Sequence, residues 1–290
     1  FNYQAALGNI HDSKYDFKFH CSGTLIAPDV ILTASHCITE HIGAQMGRHN
    51  ITDATEEFTE KKPVETRRHP SHNFPNTDSH DVALLMFDSK FDGYPLVKLN
   101  RAARGTTPTE EERLTVLGWG AVHETGGFPD VKQEVVVYYQ KTCGSYFRKW
   151  ISDDMICAGG HGGSTDSCYG DSGGPLVRAG LDPEDDIQVG VVSWGLACAS
   201  DKYPGVYAEL SNPSIYEWIT DEVCDFSTQP PSEFDCDNLR VKPDEITCVN
   251  GDTARKKRCL KATSEKCSKV RYFDNCCKSC AKYRPSSPET

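Results

Sequence analysis

The placing of cysteine restricts this chain more than any other feature. Seven of its fourteen cysteines crowd into residues 236–280, and the other seven are spread over the preceding 235 positions. An even total with no paired zinc-type pattern (Cys277-x-x-Cys280 stands alone) points to disulfides, and so to an oxidising, extracellular compartment. The crowded stretch is short and reads as a small stapled unit. The remainder is long enough for one large domain or two smaller ones. Charge breaks at the same place. From Cys236 onward there are 13 Lys/Arg and 7 Asp/Glu, a balance of +6, against 18 and 35 in residues 1–235, a balance of −17. Two units with different partners are therefore expected. Nucleic acid is a poor partner for a chain whose larger part is this acidic. No apolar run approaches the roughly 18–20 residues of a membrane span, and no signal peptide opens the chain, so a trimmed, secreted form is expected.

Residues 1–210 read as many short strands. Thr24-Leu-Ile and Val30-Ile-Leu-Thr33 flank a Pro28-Asp29 turn, and further β-like runs are Val82–Phe87, Leu114–Leu117, Val135–Tyr139, Gly174–Val177, Val189–Ser193 and Gly205–Leu210. They are rich in Val, Ile, Leu and Tyr and bounded by turn residues, which suggests antiparallel barrels or a sandwich. One helix is marked by a capping Asn212, Pro213 at its first position and Ile215, Trp218, Ile219 and Val223 at helical spacing, and is expected to end near Cys224. A polar, Pro-containing linker over 225–235 follows. The last ten residues, 281–290, read as a disordered tail.

Chemistry concentrates in Asp166-Ser-Cys-Tyr-Gly-Asp-Ser-Gly-Gly-Pro175. Alone, Gly-Asp-Ser-Gly is ordinary turn chemistry. A serine hydroxyl becomes a useful nucleophile only with a base in hydrogen-bond reach and donors for the oxyanion. A base is offered by His36, which closes the apolar run in Leu32-Thr-Ala-Ser-His36-Cys37, and an orienting carboxylate by Asp81 at the mouth of Asp81-Val-Ala-Leu-Leu-Met-Phe87.

These three segments, in the order His, Asp, Ser, resemble the chymotrypsin/trypsin family of serine proteases, and Gly118-Trp-Gly120, Ser193-Trp-Gly195 and Pro204-Gly-Val-Tyr207 extend the resemblance over roughly residues 1–224. The resemblance implies an all-β fold of two antiparallel six-stranded barrels with a C-terminal helix, and Ser172 as nucleophile, His36 as base and acid, and Asp81 fixing the imidazole. It implies an oxyanion hole from the N–H groups of Gly170 and Ser172, and a hydrogen bond from Ser193 to Asp81. Asp166 falls at the base of the specificity pocket, with Gly195 and Gly205 keeping it open, so substrates with Lys or Arg at the cleaved bond are implied. Ala197 stands where many members carry glycine, and Tyr169 falls at the rim. Disulfides Cys21–Cys37, Cys143–Cys157 and Cys168–Cys198 are implied, whereas no cofactor and no metal are. Arg48 in Gly47-Arg48-His-Asn-Ile51 replaces the acid of calcium-binding members. Asn50-Ile-Thr52 fits a glycosylation sequon. Family members pair the acid next to the nucleophile, here Asp171, with a new amino terminus. This chain begins past that position, so a zymogen-like oxyanion hole is expected of it as written.

The ending Cys267-Ser-Lys-Val-Arg-Tyr-Phe-Asp-Asn-Cys276-Cys277-Lys-Ser-Cys280 resembles the end of PLAC modules of extracellular proteases. With Arg255-Lys-Lys-Arg258, the 236–280 unit is expected to dock on a polyanion or matrix. The expected function is a secreted trypsin-like endopeptidase acting through an acyl-enzyme. The competing reading is a protease-fold binding protein without activity.

Overall fold

The computed structural model describes residues 1–10, 17–122, 126–144, 149–200 and 202–236. The chain forms two compact units, 1–230 and 231–290. Of the second, the described residues contain a short 3-10 turn, Ser232–Phe234. The PLAC-like match, the basic Arg255–Arg258 run and the expected tail all lie outside the described residues.

The first unit is built from two seven-stranded sheets. One holds β1 (Gln4–Ile10), β2 (Phe17–Ala27), β3 (Val30–Thr33), β4 (Ile42–Met46), β5 (Thr59–Lys61), β6 (Glu65–Arg68) and β7 (Ala83–Met86), in the order β5-β4-β1-β2-β3-β7-β6. The other holds β8 (Lys98–Leu99), β9 (Arg113–Gly118), β10 (Gln133–Gln140), β11 (Met155–Gly159), β12 (Pro175–Arg178), β13 (Ile187–Trp194) and β14 (Gly205–Glu209). In this second sheet β12 pairs with both β9 and β13, closing a six-stranded antiparallel ring, to which β8 adds by parallel pairing with β13.

The expected all-β architecture with a C-terminal helix holds among the described residues, and the second sheet contains the expected six-stranded antiparallel ring, with β8 beside it. Three strands are poorly marked in the sequence. β5, β6 and β8 read Thr-Glu-Lys, Glu-Thr-Arg-Arg and Lys-Leu, and carry too little apolar alternation to stand out in a sequence. They form because neighbouring strands offer open backbone groups that must be paired. β3 and β7, by contrast, are buried at every position. Continuous apolar runs of this length are how strands covered on both faces read. The second sheet encloses a core of Leu114, Val116, Val137, Leu176, Val189 and Tyr207.

The helix α1 (Pro213–Phe226) runs two residues beyond the expected Cys224. Asn212 Oδ1 accepts the Ser214 N–H at 2.9 Å, and Pro213 opens the first turn. Ile215, Trp218, Ile219 and Val223 form its buried face. Disulfides join Cys21 to Cys37, Cys143 to Cys157 and Cys168 to Cys198. Cys224 and Cys236 are also disulfide-bonded.

The cap makes a specific demand. Replacing Asn212 by Ala removes the acceptor for the Ser214 N–H and is expected to cost about 1 kcal/mol, read as a lower denaturation midpoint with an unchanged slope against denaturant. An unaltered midpoint would mean that the cap contributes nothing.

Candidate active site

The two sheets meet at a buried carboxylate. Asp81 lies just ahead of β7 and is fully buried. Its Oδ1 accepts the His36 backbone N–H at 3.0 Å, and its Oδ2 faces His36 Nδ1 at 2.7 Å. His36 sits in a 3-10 turn, Ser35–Cys37, directly after β3, and the Cys21–Cys37 disulfide pins that turn to β2. From the second sheet, Ser193 on β13 donates its hydroxyl to Asp81 Oδ2 at 2.6 Å. Ser35 next to His36 is tied down as well, its hydroxyl donating to the Val82 carbonyl at 2.7 Å.

The electrostatics follow from these contacts. Burial disfavours the charged form of His36, but the hydrogen bond and charge of Asp81, with a further pull from Asp78, more than offset it and raise its pKa. Burial likewise opposes the charged form of Asp81. The hydrogen bond and charge of His36, then the Ser193 hydroxyl and the His36 N–H, hold it below the ordinary carboxylate range. With Asp81 ionised and bound to Nδ1, the neutral imidazole presents Nε2 as its basic atom.

Ser172 lies in the turn before β12, and its carbonyl accepts the Ser22 N–H of β2 at 2.8 Å. The hydroxyl-bearing residue is thereby fixed to the sheet that carries His36. Gly170, two positions earlier, has a φ of +98°, a left-handed conformation that favours glycine. Between them Asp171 turns inward. Its carboxylate accepts the N–H groups of Gly120 at 2.9 Å and Cys168 at 3.0 Å. It is so closely held that a Cβ at Gly118 or Gly120 would fall 2.0 or 2.4 Å from its side-chain atoms. Burial pushes Asp171 up to about 6 against the pull of those two N–H groups. Among the described residues no cation pairs with it.

Ser172, Ser193, Asp166, Gly195, Ala197 and Gly205 line one cavity of about 230 Å³, together with Tyr169 and Trp194. Asp166 accepts the Ser167 N–H at 2.8 Å. A Cβ on Gly205 would come within 2.6 Å of Asp166 Oδ1, so glycine there keeps the carboxylate uncovered. Gly195 has free space beside it, with Ala197 O the nearest atom at 3.9 Å. Burial raises Asp166 to about 7, opposed by the N–H groups of Ser167, Ala199 and Gly205. Tyr169 is exposed at the surface.

The sequence-predicted site residues thus fall into two connected groups, one around Asp81 and one around Asp166, with Ser193 in both. Three contributors were not apparent from sequence. Ser167 places its hydroxyl 3.1 Å from the Tyr207 hydroxyl beneath the cavity. Trp194, within the Ser193-Trp-Gly195 segment, supplies a wall. His72 approaches Asp81 from outside any recognised motif. A count of histidines in Arg67-Arg-His-Pro-Ser-His72, so close ahead of Asp81, was the available signal for the last.

Metal chemistry has little foothold among the described residues. Cys21, His36 and Cys37 bring sulfur and nitrogen atoms close together, but both sulfurs are in a disulfide and offer no thiolate. In the loop after β4, the Arg48 guanidinium takes the carbonyl oxygens of Asp53 and Ile51 at 3.1 and 2.5 Å, the kind of oxygen a hard cation seeks. In the sequon, Asn50 Oδ1 accepts the backbone N–H and hydroxyl of Thr52 at 3.0 and 2.9 Å.

Comparison with known proteins shows the family of the chain. The family model described as trypsin matches residues 1–219. Trypsin-3 of Salmo salar is 34% identical over 224 residues, covering 76% of this chain and 86% of its own. Trypsin I-P1 of Gallus gallus is 34% identical over 233 residues, covering 75% and 82%. A vitellin-degrading protease of Bombyx mori is 32% identical over 218 residues, covering 70% and 76%.

The Asp166 carboxylate lining this cavity is expected to act as a pH-dependent cation site. A flat aromatic amidinium should bind more weakly as pH falls below about 7, approaching about tenfold per pH unit, because protonation of Asp166 removes the charge it pairs with. Asp166→Asn should bind it weakly at every pH. Fluorescence titration of both proteins checks this, and matching pH profiles would rule Asp166 out as the partner.

Proposed function

Because the chain belongs to the trypsin family of serine proteases, we propose that it is a secreted endopeptidase that cleaves after Lys or Arg through an acyl-enzyme on Ser172. The observation that carries this reading is the shared carboxylate of Asp81, which binds His36 Nδ1 and the Ser193 hydroxyl at once. That arrangement fixes the imidazole tautomer and leaves Nε2 free to act as a base.

In the proposed reaction the substrate's cationic side chain enters the cavity and pairs with Asp166. A bound cation reverses the effect of burial and holds that acid ionised. His36 Nε2 takes the Ser172 proton as Oγ attacks the carbonyl carbon. The developing oxyanion accepts the N–H groups of Gly170 and Ser172, neither of which donates to a backbone carbonyl among the described residues. His36 then returns the proton to the departing amine, and water repeats the sequence to release the acyl group. Donors of this kind are typically worth about 10²–10³ in turnover each. Asp171 bridges the two donors in sequence. Its burial between Gly118 and Gly120 suits an acid that a cation, such as the amino terminus the family uses, locks in place. Secretion accords with the disulfides of the described residues.

The test is hydrolysis of Lys and Arg esters by the processed protein. Turnover is expected to fall by at least about 10³ in Ser172→Ala. Asp166→Asn should lose Lys/Arg turnover mainly through KM. No turnover in the parent protein, or activity surviving Ser172→Ala, would overturn the protease reading. A preference for aromatic over basic esters would overturn the role of Asp166 alone.

Residues 236–280 are proposed to dock on a polyanion, a reading supported by their charge balance and the Arg255-Lys-Lys-Arg258 run. The whole protein should be retained on heparin and released by salt, whereas a chain ending at residue 235 should pass through. Equal elution of the two would exclude docking by this segment.

A further inference from the structure

His72 lies in the segment between β6 and β7, and its ring nitrogen Nε2 stands 3.5 Å from Asp81 Oδ1. That nitrogen is buried and has no hydrogen-bond partner among the described residues. The other ring nitrogen, Nδ1, faces the Asn73 side-chain amide nitrogen at 3.5 Å. The carboxylate facing Nε2 only accepts and the amide nitrogen facing Nδ1 only donates, so both contacts favour the neutral tautomer with its proton on Nε2. Asp81 is therefore flanked by two imidazoles. His36 holds Oδ2 from one side at 2.7 Å, and His72 stands off Oδ1 on the other. The gap to His72 is too long for a full hydrogen bond, but Coulomb attraction at this distance in a water-poor site remains substantial.

We infer that His72 is a positioning residue that draws on Asp81 from the side opposite His36 and so keeps His36 an unprotonated base at lower pH. The inference rests on the protease reading above. Asp81 raises the basicity of His36 because its negative charge stabilises the imidazolium. An N–H dipole on the other oxygen competes for that charge. Charge drawn toward Oδ1 in this way is less available to Nδ1, so the imidazolium of His36 is weakened.

The titratable groups facing His72 are Asp81, Asp78 and His69, with His36 across the carboxylate. Beyond His69 are His80, stacked on it at 4.6 Å, and Asp154, 3.8 Å from His80. His69 itself is driven down to about 4 by burial, and its nitrogens are taken by the Ser214 carbonyl and the Ser71 N–H. It therefore adds no charge near neutral pH, and the balance around His72 is set by Asp81, Asp78 and His36.

The experiment compares the pH profile of kcat/KM for an Arg ester in the parent protein, His72→Phe and His72→Gln. His72→Phe removes the N–H. It is expected to raise the apparent pKa of the acid limb by about half a pH unit, a loss of about threefold well below that limb, with KM near pH 8 unchanged. His72→Gln retains a donor and should shift the limb less. A merely structural role would lower thermal stability and leave the limb in place. An acid limb unmoved in both variants, or moved downward, would overturn the inference. If His72→Phe does not fold, His72→Gln alone decides. An NMR titration of the His36 ring in Ser172→Ala protein, with and without His72→Gln, reads the same shift without turnover. A shifted ring in a protein whose parent hydrolyses nothing would sink the protease reading and leave this inference standing. An unshifted ring in an active protein would do the reverse.

Discussion

A buried charge needs compensation, and in this molecule that requirement is met only where the two sheets touch. Asp81 has no solvent to stabilise it. Its donors are the backbone and ring of His36, which follow β3 in one sheet, and the hydroxyl of Ser193, on β13 in the other. Removing one partner of such a set leaves an uncompensated charge, typically costing about 3–5 kcal/mol. Joining the sheets and assembling the site are thus one event rather than two. The Ser22 N–H to Ser172 carbonyl bond acts at the same seam.

Three acids near this seam reach different ionisation states by one rule. Asp81, Asp166 and Asp171 are all penalised by burial. Asp81 has an imidazole and a hydroxyl in addition to a backbone N–H, and stays low. Asp166 and Asp171 have backbone N–H groups only, and rise to about 7 and about 6. N–H dipoles orient a carboxylate without supplying a full opposite charge. A cation brought beside either acid would hold it ionised. The proposed role of Asp166 in selecting a basic side chain follows from that unmet charge more than from its position alone.

What was legible in the sequence was local chemistry carried on apolar strands. Val30–Thr33 and Ala83–Met86 announce themselves by composition, and His36 and Asp81 sit at their ends. Asn212 and Pro213 announce the helix start in the same way. The charged strands β5 and β6 did not show, because what holds them is backbone pairing with β4 and β7, not an apolar pattern of their own. His72 did not show either. Its importance is a distance to Asp81, and nothing in a His-Pro-Ser-His spelling specifies which way the second ring faces. The inward turn of Asp171 against Gly118 and Gly120 is likewise a tertiary contact across 51 positions of sequence.

The loop after β4 shows how a single substitution of charge type reaches the same region by packing. Arg48 is buried, its guanidinium 4.3 Å above the Phe58 ring and bonded to the carbonyls of Ile51 and Asp53. Glu56 lies 3.7 Å from Arg48 and accepts the N–H groups of His49 and Asn50. The His49 carbonyl so positioned accepts both the Trp119 indole N–H at 2.9 Å and the Lys132 N–H at 2.8 Å. Trp119 separates Gly118 from Gly120, the two residues that leave room for the Asp171 carboxylate. The buried guanidinium supplies this loop with a positive charge fixed against its own carbonyls. Its reward is a constant backing for the glycines around Asp171, and through that acid for the turn that presents Ser172.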